Sequence, residues 1–127
     1  MWIDEKEISE AMYEKCLKND QEKFWSFITE SRYAYWYCKD IKDRPEVRKY
    51  IVNSQWAYEY CKHVKDRPEI RKNIIIPRWA YYYCMDVKDR SEIRKYITES
   101  RWAYYYCIDI KHRPEVRKYV TEIDSYY

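Results

Sequence analysis

A repeat of 23 residues accounts for most of the sequence and constrains its fold more than any other feature. Four consecutive blocks, residues 28–50, 51–73, 74–96 and 97–119, agree at ten of 23 positions. We call a set of equivalent positions a column. In the first block the invariant columns are Ile28, Ala34, Tyr35, Tyr37, Cys38, Lys42, Arg44, Glu46, Arg48 and Lys49. Self-similarity at a short fixed period is typical of architectures in which each unit packs against its neighbours.

Each block contains the pattern of two short helices. Apolar and small residues recur at helical spacing over residues 31–42, at Tyr33, Ala34, Tyr37, Cys38 and Ile41. Pro45-Glu46 predicts the start of a second helix, because proline suits the first helical turn and an acid suits its positive end. We expect this helix to end near Val52, with Val47, Tyr50 and Ile51 buried. The chain contains no glycine, so every helix end must use other residues.

These hairpins predict an all-α fold, a right-handed solenoid of helix-turn-helix repeats with a 23-residue period. We expect one domain with a degenerate capping hairpin at residues 1–27 and a partial repeat at 120–127. In this interpretation Phe24, Phe27 and Ile28 cover the apolar edge of the first full repeat. The formal charge follows the same division: +8 for the four repeats, −3 for residues 1–27 and −2 for the tail. Polar ends are what a soluble solenoid needs.

The positions of the cysteines and histidines indicate structural roles and do not indicate catalysis or metal binding. Cys38, Cys61, Cys84 and Cys107 recur once per repeat without the CxxC spacing of zinc sites, and we expect buried thiols, with metal binding or disulfides as the weaker alternatives. His63 and His112 stand where other blocks have aspartate, which indicates surface residues. No nucleophile–base arrangement is visible. The sequence therefore predicts a protein that is not an enzyme and has no cofactor or metal.

Composition limits the location of the protein. The sequence has no apolar run near the ~20 residues that cross a bilayer, and its first residues lack a signal-peptide pattern. An odd number of cysteines fits a reducing compartment. We therefore expect a cytoplasmic protein without a membrane partner.

Three columns are candidate binding surfaces. They are Arg44, Arg67, Arg90 and Arg113; Arg48, Arg71, Arg94 and Arg117; and Tyr35, Tyr58, Tyr81 and Tyr104. We expect Arg48 and Lys49 to point away from the core, with the Arg48 column on a concave wall formed by the shorter helices, where it would suit an anionic partner. The tyrosines are expected beside the buried stripe, as a contact surface. The alternatives are structural: arginines paired with acids of their own or the next repeat, and tyrosines used in packing.

The run from Ala34-Tyr35-Trp36-Tyr37-Cys38 to Lys42-Asp43-Arg44-Pro45-Glu46 resembles short helical-hairpin repeats of bacteriophage and other viral proteins, which read Y-A-x-x-Y-A-x-x-V-I-K-x-R-x-P-E. The likeness covers residues 28–119, with cysteine at a usual alanine position and a closed Arg–Pro gap. It implies a viral origin and a solenoid. We therefore expect a non-enzymatic protein that binds a macromolecule, with a host defence factor as the partner. The alternative is binding of nucleic acid or nucleotide through the repeated arginine, lysine and tyrosine faces.

Overall fold

The structure is a computed structural model and describes residues 4–121. Within this part of the chain there are ten helices and no strand, in five long–short pairs. The long helices are α1 (Glu5–Lys18), α3 (Ser31–Asp40), α5 (Ser54–His63), α7 (Pro77–Asp86) and α9 (Ser100–Asp109). The short helices are α2 (Glu22–Trp25), α4 (Pro45–Arg48), α6 (Pro68–Arg71), α8 (Ser91–Arg94) and α10 (Pro114–Arg117).

The helices pack in chain order. Each long helix contacts the next long helix, and each short helix packs against the long helix of its own repeat. The prediction of an all-helical repeat solenoid is therefore confirmed. One layer consists of the long helices and the other of the short ones, so that equivalent residues recur along each layer.

The long helices begin at the polar residues and prolines that the sequence indicates as helix starts. The side chain of Glu30 accepts a hydrogen bond from the backbone of Tyr33 in the first turn of α3, and Pro77 opens α7. Among the described residues none has positive φ, so the helices do end without the backbone conformation that glycine provides. The short helices are shorter than predicted: α4 ends at Arg48, and turns follow in which Ile51 N–H donates to the Arg48 carbonyl at 2.9 Å.

The core between the layers is built from columns. The tyrosines of the Tyr37 column and the alanines of the Ala34 column are fully buried in all four repeats. Small alanines allow adjacent long helices to approach closely, while the tyrosine rings fill the space towards the short helices. A buried serine provides hydrogen bonds to backbone groups of the turn between repeats. Ser31 Oγ donates to the Tyr50 carbonyl and accepts from the backbone N–H groups of Val52 and Asn53.

The N-terminal hairpin repeats this design with one exception. Ser9 Oγ accepts from the backbone of Thr29 and Glu30, as Ser31 does one repeat later, and Ile28 is fully buried. Phe27, however, is 57% exposed, so the expectation that it covers the edge of the first repeat is wrong. Its column, which includes Tyr50, lies at the rim of the short-helix layer and is only half-buried in the repeats. Of the expected C-terminal partial repeat, Val120 and Thr121 lie within the described residues.

Candidate binding surface

The Arg44 column lies in a cluster that joins successive repeats. Arg67 donates from Nε to the Tyr60 hydroxyl at 2.7 Å and from Nη2 to Asp43 of the preceding repeat at 3.0 Å. The Tyr60 hydroxyl in turn donates to the Asp43 carboxylate at 2.8 Å. The same cluster recurs at every repeat junction, as Asp20–Tyr37–Arg44, Asp66–Tyr83–Arg90 and Asp89–Tyr106–Arg113. These arginines therefore hold neighbouring repeats together.

The Arg48 column is the other half of this network, and its predicted orientation is wrong. The Arg71 side chain is only 12% exposed. Its Nη1 lies 3.3 Å from Asp66 of its own repeat, and its Nε lies 3.4 Å from Glu92 of the next. Since Arg90 also reaches both acids, the four side chains form a closed ring of alternating charge. The aliphatic stem and the head of Arg71 are drawn towards these acids, which is why the column does not form an open basic wall.

The network holds its aspartates in the charged state. Burial alone would raise the pKa of Asp43, but hydrogen bonds from Tyr60 and Arg67, together with the charge of Arg48, outweigh it and lower the pKa below its usual value. The pKa values of Asp66 and Asp89 are lowered in the same way. For Tyr60, burial and the hydrogen bond to Asp43 raise the pKa well above its ordinary range. The charges of this network are consequently balanced internally.

The fourth repeat departs from this network at the position of the aspartate. His112 replaces the aspartate, and it is exposed. Arg117, lacking that acid, donates instead to the carbonyl of Val120 at 3.3 Å. The other histidine, His63, is also exposed and lies 3.3 Å from Glu59 one turn earlier on α5. The structure thus places both histidines at the surface, as expected.

The Tyr35 column lies inside the core, which corrects the prediction that it borders the buried stripe as a contact surface. Its four members, Tyr35, Tyr58, Tyr81 and Tyr104, are between 4% and 8% exposed. The ring of Tyr81 packs on Trp102 of the next repeat at 5.5 Å between centroids, and its hydroxyl donates to Asp109 at 2.6 Å. Tyr58 donates in the same way to Asp86. These hydroxyls reach forward to the next repeat, whereas those of the Tyr37 column reach back.

Two invariant lysine columns, which were not among the candidate binding residues, are exposed, and the expectation that Lys49 points away from the core is confirmed. The Lys42 column comprises Lys42, Lys65, Lys88 and Lys111, and the Lys49 column comprises Lys49, Lys72, Lys95 and Lys118. All eight are exposed. Within residues 4–121 none of them lies within ion-pairing distance of an acid, although the neighbouring arginines other than Arg117 do. The sequence feature that could have identified these lysines as candidate binding residues is their invariance in all four repeats.

Grooves between successive short helices bring the Lys49 column together with acids. The groove between α4 and α6 is lined by Pro45, Lys49, Val52, Glu69 and Lys72 among others. Equivalent grooves follow between α6 and α8, and between α8 and α10. The ammonium groups of Lys49 and Lys95 lie 5.3 and 5.2 Å from the ring centroids of the adjacent tyrosines, which orients them along this layer. The arrangement is a row of exposed ammonium groups on the short-helix side.

The thiols are buried as the sequence analysis expected, apart from the last. Cys16, Cys38, Cys61 and Cys84 are buried and free, whereas Cys107 is half-buried. Burial, reinforced by the charge of Asp66, raises the pKa of the Cys61 thiol to about 12. Among residues 4–121, no group of three or more potential metal-ligating side chains is assembled. In the same part of the chain, no helix has the length and apolar character required to cross a membrane.

Comparisons with protein-family models, with curated proteins and with solved structures gave no match to this chain.

Proposed function

We propose that this protein is a non-enzymatic binding protein whose short-helix side recognises an acidic surface of a protein partner through the Lys49 column. The observation that carries this proposal is a contrast between invariant cations. Every arginine of the two columns except Arg117 is used in an ion pair, while the lysines of the equivalent repeats are exposed and make no ion pair among residues 4–121. Packing and ion pairing explain the invariant arginines, whereas the Lys49 column is exposed and its ammonium groups lie over neighbouring tyrosine rings at the surface.

The charge pattern favours an acidic protein over a nucleic acid. The Glu46 column lies on the same side as the lysines, and Glu69, Glu92 and Glu115 are between 53% and 55% exposed. A phosphate chain would meet these carboxylates along with the lysines, whereas a protein surface can present both signs of charge in a complementary arrangement. The buried Tyr35 column offers no open ring face on which bases could stack.

The resemblance to viral hairpin repeats supports a host protein, and in particular a defence factor, as the partner. The four buried, unpaired cysteines support a reducing compartment such as the host cytoplasm. The host partner and the reducing compartment belong to the proposal, whose main support is the exposed lysines.

A selection from a random peptide library displayed on phage tests the proposal, because such a library offers acidic, basic and apolar segments on equal terms. The library is selected on the immobilised wild-type chain at about 150 mM salt, where weak nonspecific charge effects are screened. We expect the recovered peptides to be enriched in aspartate and glutamate. Their binding should weaken at least about tenfold in the K72E/K95E variant, because like charge replaces attraction at the centre of the row.

The matched control is K6E/K18E, which makes the same change of charge at exposed lysines of α1. Binding should be retained in this variant. Equal loss in both variants would show that only net charge matters and would contradict a localised site. Recovery of peptides without acidic enrichment would also contradict the proposal. Tighter binding of an oligothymidine than of any selected peptide at the same salt would favour the nucleic-acid alternative instead.

A further inference from the structure

The turns that connect each short helix to the next long helix break the repeat symmetry in the middle of the chain. The two residues after the invariant isoleucine are Thr29-Glu30 in the first repeat and Thr98-Glu99 in the fourth. In the second and third repeats they are Val52-Asn53 and Ile75-Ile76. The outer repeats demonstrate that this turn forms with polar residues, so the fold does not require the apolar ones.

These inner apolar side chains are open to solvent. Val52 is 62% exposed, Ile75 54% and Ile76 49%. We call Val52, Ile75 and Ile76 the central apolar patch. Val52 and Ile75 occupy equivalent positions of adjacent repeats, and adjacent repeats lie about 10 Å apart at ordinary helix-packing distances. The repeat geometry therefore brings the three side chains to one region of the same edge.

The patch is continuous with the lysine row. Val52 lines the groove between α4 and α6 together with Lys49 and Lys72. An apolar group that enters this groove lies between two lysines that make no ion pair within the described part of the chain, with Glu69 also lining the groove. The groove also contains Ile51 and Ile70, which form its buried floor. An apolar contact surrounded by basic groups is complementary to an apolar side chain flanked by acids.

We propose that the central apolar patch is the specificity anchor of the binding surface, and that it receives an apolar side chain from an acidic segment of the partner protein. This inference rests on the proposed function and names the segment that the lysine row recognises. A second copy of this chain is the competing occupant, and the sedimentation measurement below distinguishes it from a partner segment. The lysines would supply attraction over distance, and the patch would select among acidic segments.

Two labelled peptides test the inference by fluorescence anisotropy. Both are about 12 residues long, because an extended chain of that length spans roughly 40 Å, enough to follow the four repeats. One contains only glutamate and aspartate, and the other has Leu-Phe in place of the two central acids. We expect the wild-type chain to bind the Leu-Phe peptide about tenfold more tightly, although it carries less charge.

The decisive variant is V52T/I75T, which introduces the threonine that the outer repeats already use and leaves net charge unchanged. It should lose the preference for the Leu-Phe peptide and retain affinity for the all-acidic one. The control L17T/I108T removes two exposed apolar side chains elsewhere and should keep the preference. Helical circular dichroism and melting temperature establish that each variant is folded.

The outcomes separate this inference from the function on which it rests. If the wild type binds both peptides equally, or if V52T/I75T keeps the preference, the anchor is refuted while the acidic-partner proposal stands. If neither peptide binds the wild type, or if K72E/K95E binds both unchanged, the acidic-partner proposal fails as well. If sedimentation shows a dimer that V52T/I75T abolishes, the patch is a self-association surface and the inference is overturned.

Discussion

The hydroxyl of Tyr60 donates to the carboxylate of Asp43, 17 residues earlier in the chain, at 2.8 Å. Tyr60 is fully buried and Asp43 belongs to the preceding repeat, so this bond joins two repeats inside the core. Arg67 approaches both groups and adds charge to the contact. Because the bond recurs at each junction, the solenoid is held by a series of equivalent polar clusters in addition to its apolar core.

Removal of one of these hydroxyls should destabilise the chain measurably. Tyr83→Phe deletes the donor to Asp66 while keeping the ring, and we expect a loss of about 1–3 kcal/mol in the free energy of unfolding, since a charged, partly buried acceptor loses its partner. Urea unfolding followed by circular dichroism measures the change. Tyr96→Phe, at a half-buried ring on the short-helix side, is the control and should change stability by less than about 0.5 kcal/mol. Equal effects of the two changes would contradict a special role for the cluster.

Two adjacent cations should differ sharply in their contribution to stability. Arg71→Met removes a largely buried cation that pairs with the partly buried Asp66 and with the exposed Glu92, and we expect a loss of about 2–4 kcal/mol, mainly from Asp66. Lys72→Met, one residue later at an exposed site, should change the free energy of unfolding by no more than about 0.5 kcal/mol. Chemical denaturation of both variants provides the comparison. An equally mild effect of Arg71→Met would make this column a candidate for binding again.

The sequence predicts the fold well because the relevant information is local and repeated. Helical spacing, prolines at helix starts and the 23-residue period are all visible within short stretches of the chain. Whether a charged side chain forms an ion pair or stays exposed depends on residues that are distant in the sequence. Arg67 pairs with Asp43, 24 residues away, and helical spacing alone does not reveal whether a cation turns to such an acid or remains in solvent. Invariance therefore marked the Arg48 and Lys49 columns equally, and only the packing of one repeat on the next distinguishes them.

A similar reason explains the error on the tyrosines. On an isolated helix the Tyr35 column borders the apolar stripe, and a boundary position can be covered or exposed. The neighbouring repeat decides the outcome, because Trp56 of α5 packs on the Tyr35 ring with 5.7 Å between centroids. The column becomes core through a contact between repeats that periodicity within one repeat does not contain.

Acid should weaken the polar clusters. The folded-state pKa values of Asp43, Asp66 and Asp89 lie below the ordinary value, so their contribution to stability is present above the unfolded pKa, near 3.9, and is lost as pH falls through the folded pKa. We expect the free energy of unfolding to decrease below about pH 4. Urea titrations between pH 7 and pH 3 measure this slope. In Asp66→Asn the slope should be shallower, and an unchanged slope would show that other carboxylates dominate.

The thiols should differ in reactivity. Cys38, Cys61 and Cys84 are buried, and their raised pKa, about 12, keeps them protonated at neutral pH. Cys107 is half-buried at the last repeat. We therefore expect Ellman's reagent to react with Cys107 in the native protein and with the others on unfolding. Cys107→Ser should abolish the fast phase. A fast phase that persists in this variant would show that another thiol is accessible.

Alkali should unfold the protein through its buried tyrosines. The hydroxyls of Tyr58, Tyr81 and Tyr83 have pKa values raised above the ordinary 10, first by burial and then by hydrogen bonds to aspartates. A raised folded-state pKa means that the stabilising contribution is full below pH 10 and is lost as pH rises towards the folded value, because the unfolded chain ionises first. Since several columns share this property, the losses add. We expect tyrosinate absorbance and the loss of helical circular dichroism to rise together in one cooperative step above about pH 10, whereas the chain in denaturant should titrate smoothly near that value. Ionisation of most tyrosines at pH 10 with full helical signal would contradict the buried, aspartate-bonded environment of these rings.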